Sequence, residues 1–188
     1  MNLLNHISIV FLDTETTHLD VRKSELLSIC IWTESRDGKL DKWETKIKPT
    51  RLSDADPKAL EINGYNKEDW KDAPCFEDVA DKIAELLKWG PIVGHNVSFD
   101  MRHIKAAFRR LGIELYEDPN AYSDIRWGYP LIDTVSLAWL FLPTDRQNLN
   151  ACREHLGIDP SRAHSADTDV EDCRELFWHI IDKAYSQR

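Results

Sequence analysis

A chain of 188 residues that is 42% hydrophobic and 30% charged is long and apolar enough for a sizeable core, and it has no biased stretch of the kind that stays disordered. Its formal charge of −9 argues against broad, nonspecific adhesion to nucleic acid, which relies on Lys and Arg neutralising phosphates, yet it is compatible with a nucleic-acid enzyme whose acids hold metal. No apolar run reaches the ~18 residues of a spanning helix, the first residues lack a basic region and a small-residue cleavage site, and the four cysteines form no CxxC pair; the expectation is a cytoplasmic protein with reduced, packing cysteines.

The first element lies in residues 8–20, SIVFLDTETTHLD. Ile9, Val10, Phe11 and Leu12 are bulky and lack polar partners, the pattern of a central strand covered on both faces. Asp13 and Glu15 stand at its carboxyl end, and in an extended chain both point to one side. Two anions held that close raise each other's pKa unless a cation or proton offsets them, and a metal ion is the obvious candidate. Taken alone, a DxE is also what a solvated turn after an ordinary strand looks like. Residues 25–33 and 39–47 form two further strands, and the Asp37-Gly38 turn between them makes an antiparallel meander. Residues 49–74 are a polar connection with a short helix near 57–62. Residues 76–87 form an amphipathic helix with Val79, Ile83, Leu86 and Leu87 on one face.

After Gly90-Pro91, residues 92–94 are a short apolar strand leading into HNVSFD. Ser98 is the expected N-cap of a helix that runs to about Leu111 and stops at Gly112. Ile104, Ala107, Phe108 and Leu111 make its buried face, and Asp100 shares that inward stripe, where a carboxylate needs a partner. Arg102, Lys105 and Arg109 share another face, a basic strip that reads as solvated surface or phosphate contact. Residues 114–129 are an irregular loop carrying Tyr116, Tyr122, Trp127 and Tyr129. Residues 130–133 end another strand, 134–141 are helical, and 148–156 form a helix ending at Gly157. Strands followed by helices imply parallel pairing, with sites at the carboxyl ends of the strands. The last helix follows HSADTD and runs to about Ala184. Its apolar positions Val170, Cys173, Leu176, Phe177, Ile180 and Ile181 turn Asp169 inward and leave Asp167 on the polar side. His164 precedes Asp169 by five residues and can sit on a loop over the same cluster.

Three separated segments thus deliver Asp13, Glu15, Asp100 and Asp169, a set of hard oxygen donors suited to Mg²⁺ or Mn²⁺ rather than zinc. DTETTHLD, GHNVSFD and HSADTD resemble, in order, the three motifs of the DEDDh family of DnaQ-like, proofreading-subunit-like 3′→5′ exonucleases. ALEINGYNKEDW, with PCFEDV after it, is similar to that family's segment between the third strand and the next helix.

The resemblance implies one exonuclease domain over residues 1–188, built on an α/β, ribonuclease-H-like mixed sheet of about five strands with flanking helices. It implies hydrolysis of phosphodiester bonds at the 3′ end of single-stranded nucleic acid, DNA foremost, releasing nucleoside 5′-monophosphates. A 3′→5′ exoribonuclease and a catalytically silent interaction module are the alternatives. Two divalent ions, about 3.5–4 Å apart in such sites, would be held by Asp13 as the bridge, by Glu15 and Asp169, and by Asp100 on the second ion. His164 would be the general base, and Thr16, Leu19, His95, Asn96 and Phe99 would hold the terminal nucleotide. A polymerase or repair partner is left open, and no membrane is involved. His18 stands where the family usually has Gly, so the turn before Leu19 is expected to be reshaped.

Overall fold

The apolar run of the first strand, β1 (Ile9–Thr16), is divided by strand geometry between two cores. Val10 and Leu12 enter one, Ile9 and Phe11 the other, and all four are buried. The computed structural model describes residues 8–113, 130–159 and 165–186. β2 (Leu26–Glu34) pairs antiparallel with β1, and β3 (Leu40–Lys46) antiparallel with β2 across a turn in which Gly38 takes φ +81°. β4 (Ile92–Gly94) and β5 (Leu131–Asp133) add on the far side of β1, each parallel to its neighbour. The order β3-β2-β1-β4-β5 makes the mixed five-stranded sheet expected from the sequence and places β1 at its centre.

The helices are α1 (Pro57–Ile62), α2 (Phe76–Leu86), α3 (Val97–Arg110), α4 (Thr134–Phe141), α5 (Leu149–Leu156) and α6 (Ala166–Ser186). Ala80 and Ile83 of α2 and Ile104 and Phe108 of α3 cover the Val10/Leu12 face. On the opposite face Val170, Cys173 and Phe177 of α6 meet Phe11, Cys30 and Trp32, with Phe11 and Phe177 edge to face at 5.7 Å. A third cluster, Ala138, Leu142, Cys152, Leu176 and Ile180, ties α4 and α5 to the outer side of α6. Among the described residues no helix is long and apolar enough to cross a membrane.

Two sequence expectations fail at the ends of α3. Its N-cap is Asn96, not Ser98, which falls inside the first turn and is exposed. Asn96 adopts the left-handed conformation at φ +67° and its N–H donates to Asp133 Oδ1 at 3.0 Å. A contact with β5 therefore starts the helix earlier than a local hydroxyl cap would, at a residue type that tolerates positive φ. Leu111 lies outside the buried face: the helix ends at Arg110, and Leu111, its C-cap, is 38% exposed as the chain turns away at Gly112. The aromatic loop at 114–129 lies outside the described residues.

Candidate active site

Alternation along β1 decides which acids meet. Asp13 and Glu15 continue the Ile9/Phe11 face, the one covered by α6, while Thr14 points toward α3. The first turn of α6 supplies Asp169, whose N–H donates to Ser165 O at 2.9 Å. One carboxylate oxygen from each of Asp13, Glu15 and Asp169 lies within 4.8 Å of the others. Asp100, buried in the first turn of α3, comes from the opposite side: its Oδ1 accepts from Thr14 N at 3.0 Å and Thr14 Oγ1 at 2.7 Å. All four acids sit at the end of the sheet where the parallel strands β1, β4 and β5 terminate.

Burial, followed by the charges of Asp100, Glu15 and Asp169, holds the Asp13 carboxyl well above its usual range. Burial, then Asp169 and Asp100, pushes Glu15 up to about 7. Burial also raises Asp100 to about 7, against the opposing hydrogen bonds from Thr14. Converging oxygen donors that are costly to ionise together are what a divalent cation offsets, so the residues present fit one. A second group, Cys30, Glu44 and Asp167, suits a cation less well: burial and Asp167 push the Cys30 thiol up, and a protonated thiol is not a ligand.

This electrostatic load predicts an inverted pH dependence for the metal-free protein. The folded pKa values of Glu15 and Asp100 lie above their ordinary values, so the folded state binds more protons than the unfolded one up to about pH 7, and stability falls as pH rises through that value. From pH 6 to pH 8 each group costs on the order of 1 kcal/mol, enough together to lower Tm by a few degrees. Below the ordinary histidine value of about 6.5, His95, which burial lowers to about 4, and His103, which burial also lowers, oppose the trend because the unfolded chain takes up their protons first, so the difference between pH 6 and pH 8 is the surplus of the acids. Calorimetry in EDTA should show the lower Tm at pH 8, and Mg²⁺ should remove the difference. A Tm that climbs from pH 6 to pH 8 without metal contradicts the cluster's electrostatics.

One cation in the cluster has no counterpart in the sequence reading. Arg153 of α5 is 2% exposed. Its Nε donates to Asp172 Oδ2 at 2.7 Å, one terminal nitrogen donates to Asn150 Oδ1 at 2.7 Å, and the other donates to Asp169 Oδ1. A signal existed: Arg153 lies four residues after Leu149 and three before Leu156, and Asp172 lies three after Asp169 and four before Leu176, so opposite charges occupy both inward stripes.

The five residues expected to hold a nucleotide fall at the end of β1 and just after β1 and β4. Thr16 is buried, its hydroxyl donates to His18 O at 3.4 Å, and its carbonyl accepts from Asn63 Nδ2 at 2.9 Å. In the turn that follows, His18 Nδ1 accepts from Asp20 N at 2.7 Å, and Leu19 is 76% exposed. His95 Nδ1 lies 3.0 Å from Thr134 Oγ1, and its ring also lies beside the Gln147 backbone. Asn96 is exposed, and Phe99, half-buried, lies against His103 with ring centroids 4.1 Å apart and the planes tilted by 40°. His103 in turn lies beside the His18 backbone, which brings the two segments together. His164 lies outside the described residues.

The model of the exonuclease family (RNase_T) matches residues 10–177. The DNA polymerase III PolC-type protein of Thermotoga petrophila is 29% identical over 175 residues, spanning 92% of this chain and 12% of its own length. The 3′-5′ exonuclease DinG of Staphylococcus epidermidis is 30% identical over 172 residues, spanning 91% of this chain and 18% of its own. The chain thus corresponds to less than a fifth of either relative. Among solved structures, E. coli exonuclease I in complex with a dT13 oligonucleotide superposes with a TM-score of 0.73 at 18% identity, over 95% of this chain and 41% of that one, a likeness of fold.

Proposed function

The chain belongs to the exonuclease family and has its ribonuclease-H-like fold, and on that premise we propose that residues 1–188 form a metal-dependent exonuclease domain that removes nucleoside 5′-monophosphates from the 3′ end of single-stranded nucleic acid. The observation that carries this reading is the convergence of Asp13, Glu15 and Asp169, from two separate segments, with Asp100 brought in by a third. These acids would hold two Mg²⁺ or Mn²⁺ ions, Asp13 serving both. Ions bound there supply Lewis acidity at the scissile phosphate and a nucleophilic water at neutral pH.

The chain's own residues do the rest. His164, as the neutral imidazole, takes the proton of the attacking water. Thr14 fixes the rotamer of Asp100 through two hydrogen bonds, so that acid enters the site preorganised. Thr16 at the end of β1 and Leu19 beyond it, with His95, Asn96 and Phe99 after β4, grip the terminal nucleotide. Burial keeps His95 neutral at pH 7, so it adds polar contact without charge. Phe99 offers a ring edge to a base and tolerates any of them. DNA is the preferred substrate by likeness to a DNA polymerase III protein in sequence and to an exonuclease crystallised with oligo-dT in fold. The likeness in sequence to a DNA polymerase III protein supports action beside a polymerase.

The test is hydrolysis of 3′-labelled and 5′-labelled single-stranded DNA and RNA oligomers with Mg²⁺, Mn²⁺ or EDTA. The expected result is shortening from the 3′ end, dependent on metal, with mononucleotide products and DNA cleaved faster than RNA. Faster cleavage of RNA makes the protein an exoribonuclease. Cleavage in EDTA, or no cleavage by folded protein with metal bound, overturns the assignment.

A further inference from the structure

We propose that Arg153 is a positioning residue for the metal site, holding one oxygen of Asp169 so that the other is presented to a cation. The inference rests on the metal-site reading above and extends it to a residue that contacts neither substrate nor metal.

A buried guanidinium needs an anion, and Asp172, itself 1% exposed, meets that need with a 2.7 Å bond to Nε. The contact with Asp169 is therefore additional to charge pairing. Asp169 and Asp172 lie three residues apart on α6, so their carboxylates stand one above the other, a separation that a single planar guanidinium spans. Asn150, three residues before Arg153 on α5, takes the remaining nitrogen and fixes the plane. Of the three nitrogens none is left to rotate, and the group is locked between two helices that also share the apolar contacts Cys152, Leu176 and Ile180. The bond to Asp169 uses only Oδ1. One oxygen of Asp169 stands within 4.8 Å of an oxygen of Asp13 and one of Glu15, and the side chain is 17% exposed, so the carboxylate is anchored by Arg153 and open to the cluster at once. Holding the carboxylate in this rotamer before metal arrives removes an ordering cost from binding.

A purely structural pair between α5 and α6 would leave metal affinity untouched, and this separates the two roles. The double substitution Arg153→Met with Asp172→Leu replaces the buried pair by apolar side chains without changing net charge, a change that proteins tolerate well, and takes from Asp169 only the contact under test. Arg153→Lys retains a charge for Asp172 but cannot span both carboxylates. Titration calorimetry with Mn²⁺ on metal-free protein should show both variants binding about tenfold more weakly than wild type, at near-wild-type Tm. The Mn²⁺ needed for half-maximal hydrolysis should rise by the same factor, and the rate at saturating Mn²⁺ should fall far less. If one variant does not fold, the other decides. Affinity equal to or tighter than wild type overturns the positioning role alone. A wild-type protein that binds no Mn²⁺ removes the metal-site reading and this inference with it.

Discussion

Replacing Asp13 with Asn is expected to slow hydrolysis by about a thousandfold or more while making the metal-free protein more stable at pH 8. The first half follows from losing the carboxylate that would serve both proposed cations: several kcal/mol of transition-state stabilisation would disappear, and each 1.36 kcal/mol is a factor of ten. The second half follows from burial and from three neighbouring acids, which together hold the Asp13 carboxyl well above its usual range. A neutral amide of the same shape no longer suffers that repulsion. Opposite effects on rate and stability cannot arise from a damaged fold. Single-turnover rates and thermal melts in EDTA measure both, and a rate near wild type would sink the metal-site assignment. Loss of activity accompanied by loss of stability would instead mark Asp13 as a structural acid.

The fold was readable wherever burial imposed a period. β1 showed itself through four successive bulky residues because both of its faces are covered, and Asp100 and Asp169 through their places on apolar helical stripes. What escaped was decided by partners far away in the chain. Asn96 caps α3 because Asp133, 37 residues on, accepts its N–H, and no local pattern contains that. Thr14 sits inside DTET as an apparent spacer, yet it supplies two donors to an acid 86 residues away. Arg153 reads as a surface charge until Asp172 is set opposite it. Polar residues in a core obey pairing rather than periodicity, so a single sequence shows their positions more readily than their roles.

Replacing His164 with Ala is expected to cut the rate about 10²–10⁴-fold at unchanged Mn²⁺ affinity, since a base that is not a ligand contributes to proton transfer alone. Its sequence neighbour Ser165 accepts the Asp169 N–H at 2.9 Å, so the proposed base is bonded directly to the turn that carries a proposed metal ligand. The base works unprotonated. The wild-type rate should therefore rise with pH and level off once the base has lost its proton. Protonation of Glu15 and Asp100, both near about 7 without metal, would produce a limb of the same sign by weakening metal binding. Saturating Mn²⁺ separates the two, because a bound cation keeps the carboxylates ionised across that range. Under those conditions the limb that remains in the wild type belongs to the base and should vanish in His164→Ala. A variant that keeps the limb, or that loses Mn²⁺ affinity along with rate, assigns proton transfer to another group.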